Sequence, residues 1–278
     1  MDRNLSKETK VQHRDGDLPL KIYEKISKVY YHWHDEYEII YVEKGCCSIN
    51  IEGELLNVKE GSAVLVKGGL LHSLTVEENS PCSCFALVFH PYMIYGTECK
   101  KYFSDDFIFN NLYTAETESG RNILKLIKSA YVLYKERPFA YELYLKSTLA
   151  DIFCEIFKYK LYTNEKAPEK NSSEAVKSVI DYIHTHFSEK ISVEDLSGIT
   201  NYSKSAIMHN FKEYTGKSIS SYINDYRIYN AKQMLKNTEK SVLSIALECG
   251  FNEVSYFVKT FRLHTGLSPL KYKKSVAK

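Results

Sequence analysis

The sequence lacks the features of a membrane-spanning or secreted protein. No apolar run approaches the roughly 18 residues that a membrane span requires, and the chain opens with Met1-Asp2-Arg3 rather than an apolar leader. The seven cysteines are an odd number and include no Cys-x-x-Cys pair, which argues against a structural zinc site. We therefore expect a cytoplasmic protein with reduced thiols and no membrane partner.

The chain has 278 residues, a length that favours two domains, and its charge is distributed unevenly along the sequence. Residues 1–165 hold 20 Lys and Arg against 24 Asp and Glu, a net of −4, whereas residues 166–278 hold 17 against 11, a net of +6. A basic half is typical of a module that meets a polyanion. The polar, proline-containing segment 163–172 predicts a linker between domains at 1–162 and 173–278.

The first half has short apolar runs interrupted by glycine, a pattern typical of all-β barrels. It predicts one barrel, with strands at residues 37–42, 47–51, 55–58, 63–66, 72–76 and 83–89. Helical periodicity follows at about 120–135 and 141–162, with Pro138 between the two segments. We expect these segments to form a helical pair that dimerises.

Three histidines and a carboxylate are the candidate chemical groups of this barrel. On an unbroken strand His32, His34 and Glu38 would share one face, and His72 could join them from a later strand. This spacing, followed by Gly45, resembles the first motif of the cupin superfamily. Gly61, Gly69 and His72 match part of the second cupin motif. The sequence departs from the two motifs at Ile26, Lys67 and Val76.

Three interpretations of these groups remain open. Three imidazoles and a carboxylate could hold Zn, Fe, Ni or Mn, which would make a metal-dependent cupin oxygenase or isomerase the alternative function. They could instead bind an effector such as a sugar or a small acid directly, or be satisfied by backbone carbonyls in a purely structural role. We favour a metal-free pocket without catalytic residues or cofactor, and we expect its ligand-binding residues to be His32, Trp33, His34, Glu38 and His72.

The second half contains a tandem repeat at an offset of fifty residues. When residues 191–222 are laid over 241–272 without a gap, Phe211 meets Phe261 and Thr215-Gly216 meets Thr265-Gly266. Each copy predicts a helix, a tight turn and a second helix, with N-caps at Ser192, Ser203 and Asn252. A long helix over 219–235 separates the copies. The sequence therefore predicts an α+β protein whose C-terminal domain is all α, with two tandem helix-turn-helix units.

The second copy resembles the AraC/XylS family of transcriptional regulators. The resemblance rests on Ile245-Ala246, Gly250-Phe251, Ser255-Tyr256-Phe257, Phe261-Arg262, Gly266 and Ser268-Pro269. It covers about residues 172–275, and a cupin-like sensor domain in front is a common arrangement in that family. The resemblance implies a regulator that is not an enzyme, with double-stranded DNA, a small-molecule effector and a second copy of the chain as partners. It also implies contact with RNA polymerase if the chain activates transcription, and control of metabolic genes, in particular carbohydrate-related ones.

The second helix of each unit is the expected recognition helix. Residues on its outward side should face DNA, because Ile207 with Phe211 and Phe257 with Phe261 form the inward stripe. We predict DNA-binding residues at Lys204, Ser205, Met208, His209 and Lys212 in the first unit and at Glu253, Val254, Ser255, Lys259 and Arg262 in the second, with Val258 also outward. The resemblance implies base contacts from Ser205, Met208, His209, Val254, Ser255 and Lys259. The residues expected to contact phosphates are Lys212, Lys217, Arg262 and the C-terminal Lys271, Lys273 and Lys274.

Overall fold

The computed structural model describes residues 13–26, 28–76, 81–95, 98–104, 106–164 and 171–276. The chain divides into two compact units, 1–170 and 171–278. Helix α3 begins at Asn171, so the last two residues of the predicted linker belong to a helix.

The first unit is built on two antiparallel sheets. Its strands are β1 (Leu20–Glu24), β2 (Lys28–His32), β3 (Tyr37–Lys44), β4 (Cys46–Ile51), β5 (Glu54–Lys59), β6 (Ala63–Val66), β7 (His72–Thr75), β8 (Ser83–Phe89), β9 (Ile108–Phe109) and β10 (Leu112–Tyr113). One sheet has the order β1-β8-β3-β6-β10 and the other β2-β7-β4-β5. Buried Ile40, Val42, Ile49 and Val88 belong to the apolar core that both sheets share. The cupin-like β-rich architecture is confirmed. The sequence did not predict β1 and β2, which precede the first predicted strand at residue 37, or the two-residue strands β9 and β10.

The connection between β3 of one sheet and β4 of the other needs glycine at its turn. Gly45 has φ 77°, and a Cβ atom there would lie 2.0 Å from the carbonyl oxygen of Pro81. Any side chain would therefore collide with backbone in addition to the strain of a left-handed conformation. The segment that leads into β8 is thus packed directly on the connection between β3 and β4.

Two helices, α1 (Glu118–Glu136) and α2 (Tyr141–Lys158), pack against the outer face of the five-stranded sheet. Their buried stripes include Ile123, Ile127 and Leu149, which lie in one cluster with Leu87 of β8. Helix α2 ends four residues before its predicted end. Lys160 takes φ 52°, and the chain then forms β11 (Tyr162–Thr163), which pairs with β9.

The second unit is helical. It contains α3 (Asn171–His186), α4 (Val193–Thr200), α5 (Lys204–Thr215), α6 (Ile219–Asn237), α7 (Val242–Glu248), α8 (Val254–Thr265) and α9 (Pro269–Val276). The pairs α4–α5 and α7–α8 are the predicted helix-turn-helix units, and α6 joins them. Gly216 and Gly266 end α5 and α8 with φ 69° and φ 71°, so the two copies stop their recognition helices in the same way.

The helix N-caps predicted for the first copy are confirmed, whereas the one predicted for the second copy is not. Ser192 and Asp195 form a reciprocal capping box at α4, and Ser203 Oγ accepts a hydrogen bond from the amide of Ala206 at α5. The predicted cap at Asn252 is wrong. Helix α8 begins one residue later than that cap requires, so Glu253 occupies the extended N-cap position without a side-chain hydrogen bond.

Candidate functional site

The histidine cluster, formed by His32, His34, Glu38 and His72, is brought together by a bend rather than by one strand. Strand β2 ends at His32 and β3 begins at Tyr37, so the prediction of a shared face on an unbroken strand is wrong. His32 is instead the register partner of His72 on β7. The predicted members are nevertheless assembled, and one ligand atom from each lies within 4.8 Å of those of the others.

The bend that positions His34 depends on two glycines across from it. The amide of Gly69 donates to the carbonyl of His34 at 2.7 Å. A Cβ atom on Gly68 would lie 2.2 Å from the carbonyl oxygen of Asp35, so only glycine permits this close approach. Trp33 lies half-buried in the same bend, between two members of the cluster.

All three imidazoles are held by the same kind of backbone contact. The Nδ1 atoms of His32, His34 and His72 donate to the carbonyls at Tyr30 (2.9 Å), Glu36 (3.0 Å) and Leu70 (2.8 Å), in each case two residues away along the chain. The Nε2 atoms of two of them reach Oε2 of Glu38, at 3.3 Å from His34 and 3.0 Å from His72. The backbone therefore fixes the orientation of all three rings, and the Nε2 atoms of His34 and His72 converge on one carboxylate.

The cluster is buried, so its charges interact strongly. Burial opposes ionisation of Glu38, yet the hydrogen bonds from His34 and His72 outweigh it and hold the pKa of this carboxyl well below its usual range. Burial also opposes protonation of His34, but its contacts with Glu38 raise its pKa above the usual value. Burial and the neighbouring His72 lower the pKa of His32 to about 3. At neutral pH the cluster thus contains an ionised carboxylate beside a neutral His32.

A further histidine, His13, lies beside this cluster and belongs to the segment before β1. The ring of His13 lies 4.7 Å from that of His34, and its Nδ1 atom is 3.0 Å from the hydroxyl of Tyr23. His13, His34 and Glu36 form a second group of closely spaced ligand atoms. Sequence reasoning missed His13 because no strand periodicity surrounds it.

The outward side of α5 has the predicted character. Ile207 and Phe211 are buried, and all five predicted DNA-binding residues of this helix are exposed. Met208 leaves 48% of its surface accessible, an unusual exposure for a large apolar side chain. Lys204 is paired with Glu194 of α4. The first unit therefore presents a mixed apolar and basic helix face.

Helix α8 presents a similar face with two differences from prediction. Glu253, Ser255, Lys259 and Arg262 are exposed and Val254 is half-buried. Val258 is wrongly predicted as outward, because it packs against the core that contains Phe257 and Phe261. Tyr256, which sequence reasoning did not assign to this face, is 48% exposed, and its hydroxyl accepts a hydrogen bond from Asn224 of α6 at 3.0 Å.

Within the described part of the chain, no helix combines the length and the apolar character that crossing a membrane would demand.

Comparison with known proteins finds two matching family models. Residues 25–107 match the AraC-like ligand-binding domain, and residues 196–275 match a helix-turn-helix domain. Among curated proteins, the chain is 27% identical to the uncharacterized HTH-type transcriptional regulator YdeC of Bacillus subtilis, over 99% of this chain and 97% of that protein. It is 28% identical to the uncharacterized HTH-type transcriptional regulator YdiP of Escherichia coli, over 88% of this chain and 80% of that protein.

A solved structure of apo ToxT from Vibrio cholerae matches 93% of this chain and 97% of its own, with 17% identity and a TM-score of 0.48.

Proposed function

This chain belongs to the AraC family of transcriptional regulators, and on that premise we propose that an effector bound at the histidine cluster controls DNA binding by the two helix-turn-helix units. The observation that carries the proposal is the pairing of a buried, preoriented polar cluster in one unit with two exposed recognition helices in the other. The effector must bind two states of the protein with different affinities, since otherwise it shifts no equilibrium.

The proposed effector is a small hydroxyl-rich or acidic molecule such as a sugar, and the genes controlled are carbohydrate-related. Imidazole nitrogens and a carboxylate suit hydroxyl groups as hydrogen-bond partners, and Trp33 beside them offers an aromatic face for a sugar ring. The test is thermal unfolding of the full chain with a panel of sugars and sugar acids. An effector at one hundred times its Kd adds about 2.7 kcal/mol of stability. The proposal requires this gain to disappear in His34→Ala and to persist in the exposed control His209→Ala.

On the DNA side, Ser205, Met208 and His209 of α5 and Val254, Ser255 and Lys259 of α8 contact base edges. None of these is arginine, the residue that reads guanine most strongly. Recognition therefore depends on thymine methyl groups near Met208 and Val254 and on DNA shape. The exposed Lys204, Lys212 and Arg262 contact phosphates, and Glu253 borders the second contact face.

Selection of bound sequences from a randomised duplex library tests this assignment. We expect A/T-rich contacts at the two subsites. A guanine-rich consensus without A/T preference would show that other side chains read the bases.

A second candidate occupant of the histidine cluster is a divalent transition metal. The donor set fits: three imidazoles are oriented by backbone carbonyls through Nδ1, which leaves Nε2 as the available ligand atom beside the Glu38 carboxylate. A bound metal would supply a Lewis acid to which an effector's oxygen atoms could bind. We nevertheless propose that this unit is a sensor rather than a catalyst, because the curated relatives named above are transcriptional regulators.

Titration of the metal-stripped full chain with Co²⁺ decides between direct and metal-mediated effector binding. Visible absorption at one equivalent, lost in His72→Asn but kept in His186→Asn, would support the metal. No absorption in the wild type would leave the effector to bind the side chains directly.

We also propose a homodimer through the helical pair, with RNA polymerase as a further partner if the chain activates transcription. Helix α2 and the turn before it expose three large apolar side chains, of which Phe139 is 98%, Leu143 68% and Tyr144 56% accessible. The molar mass of the full chain by light scattering tests this. The wild type should be dimeric, and Phe139→Ser with Leu143→Ser should be monomeric. A monomeric wild type would refute the proposal.

A further inference from the structure

The carboxylate of Asp225 lies where the two helix-turn-helix units meet. Asp225 is in the second turn of α6 and is only 7% exposed. Lys217, which follows the C-cap Gly216 of α5, donates from Nζ to Oδ2 of Asp225. His264, in the last turn of α8, places Nε2 3.4 Å from Oδ1. The two oxygens of one side chain therefore contact the turn that follows α5 and the last turn of α8.

The contact through Lys217 is rigidly connected to α5. The buried Thr215 hydroxyl lies 2.6 Å from the carbonyl of Phe211, and it accepts a hydrogen bond from the amide of Lys217 at 3.3 Å. The backbone of Lys217 therefore follows the end of the first recognition helix. A shift of α5 relative to α6 would therefore disturb this turn and the ion pair with Asp225.

Helix α8 is attached to the same short segment of α6 at two points. Asn224 donates to the hydroxyl of Tyr256 in the first turn of α8 at 3.0 Å, and Asp225 contacts His264 in its last turn. Eight residues of helix separate these points, about 12 Å at 1.5 Å per residue. The apolar core joins Ile228 of α6 to Phe257 and Phe261 of α8, and the two polar contacts add separated points that define the direction of α8 relative to α6.

Comparison of the two repeats shows that the fold of a single unit does not require these contacts. The turn after α8 has the same hydroxyl geometry as the turn after α5, with Thr265 Oγ1 accepting from the amide of Leu267 at 3.2 Å. Leu267 nevertheless stands where the first copy has Lys217, and buried Tyr214 stands where the second has His264. The contacts to Asp225 are thus a difference between the copies.

We propose that Asp225 is a positioning residue that fixes the orientation of the two recognition helices relative to each other, and with it the spacing of the two DNA subsites that one chain reads. The inference rests on the proposed DNA-reading function. A residue that contributed only stability would change affinity for every spacing alike. A residue that fixes relative orientation must change the discrimination between spacings.

The experiment compares two duplexes, the sequence that the full-length wild type selects from a random library and the same sequence with one base pair inserted between the subsites. The insertion moves one subsite by about 3.4 Å and rotates it around the helix axis. We measure Kd for both duplexes with the wild type, Asp225→Asn, Asp225→Glu and the control Glu239→Gln, which removes a fully exposed carboxylate from the same unit. Thermal unfolding of each variant shows that it is folded.

The wild type and Glu239→Gln should bind the inserted duplex about tenfold more weakly than the selected one, a penalty of the size of one mismatch. In Asp225→Asn this ratio should fall below about threefold, and Asp225→Glu should restore part of it. Lys217→Leu, which installs the residue of the other copy, provides a second variant if Asp225→Asn does not fold, and should also reduce the ratio. An unchanged ratio in a folded variant overturns the inference and leaves DNA recognition intact, whereas failure of the wild type to select any sequence overturns the proposed function itself.

Discussion

Replacing Glu38 by glutamine removes the charge at the centre of the histidine cluster while it keeps the shape of the side chain. Glu38 is buried and accepts hydrogen bonds from His34 and His72. Breaking a buried charge pair costs about 3–5 kcal/mol, but the amide of glutamine retains part of the hydrogen bonding. We therefore expect a loss of about 2 kcal/mol, which for a unit of this size lowers Tm by roughly 4–8 °C.

The pH dependence of this loss follows from the two opposite pKa shifts. The pKa of Glu38 is lowered in the folded state, so its stabilising contribution is complete above the ordinary carboxyl pKa of 4.5 and is lost at lower pH. The pKa of His34 is raised, so its contribution is complete below the ordinary histidine pKa of 6.5 and is lost as the pH rises through the folded value. The Tm difference between wild type and Glu38→Gln should therefore be largest between about pH 4.5 and 6.5.

Differential scanning calorimetry of the full chain at several pH values measures this difference, and Glu54→Gln, an exposed carboxylate on β5, is the matched control. The control should match the wild type at every pH. A Glu38→Gln variant that unfolds with the wild type, or a Tm difference that does not change between pH 5.5 and pH 9, would refute the assigned pairing of charges.

Three further predictions concern the fold and the DNA-reading surface. Lys259→Ala should weaken binding at one subsite only, whereas Lys212→Ala should weaken all duplexes alike and reduce the salt dependence, as competition binding at several salt concentrations will show. Equal effects of both variants on all sequences would demote Lys259 to a phosphate contact. Gly45→Ala should unfold at a lower denaturant concentration than Gly61→Ala, because both glycines have positive φ but only at Gly45 would a Cβ atom meet backbone. Equal midpoints would contradict the close packing of the β3–β4 connection on the segment before β8.

The sequence predicts strands and helices well where a buried apolar segment is bounded by glycine. Strand β6 is a short apolar run between glycines, and both its ends are predicted correctly because both of its faces are buried. Strand β2, Lys-Val-Tyr-Tyr-His, is neither a continuous apolar run nor bounded by glycines, and it was missed. The stops at Gly216 and Gly266 were predictable because a left-handed helix end favours glycine.

The candidate site was predictable in membership but not in geometry. Residue type and spacing identified His32, His34, Glu38 and His72, yet the bend between β2 and β3 depends on a contact with Gly68 and Gly69 that sequence spacing cannot reveal. The same limit explains His13 and Asp225. Each owes its place to partners outside its own strand or helix, and such contacts leave no local periodicity. Lys217, expected on phosphate, is held by Asp225 through a contact of the same kind.

The most direct measurement of the central claim is retention of fragmented genomic DNA by the full chain at moderate salt, with and without a mixture of metabolites. We expect enrichment of a small set of promoters and nuclease protection over about two successive helical turns, roughly 20 base pairs, for each chain. We also expect the metabolite mixture to alter the retention of these promoters in the wild type and not in the His34→Ala variant. Retention of all fragments alike under both conditions would contradict effector-controlled, sequence-specific DNA binding.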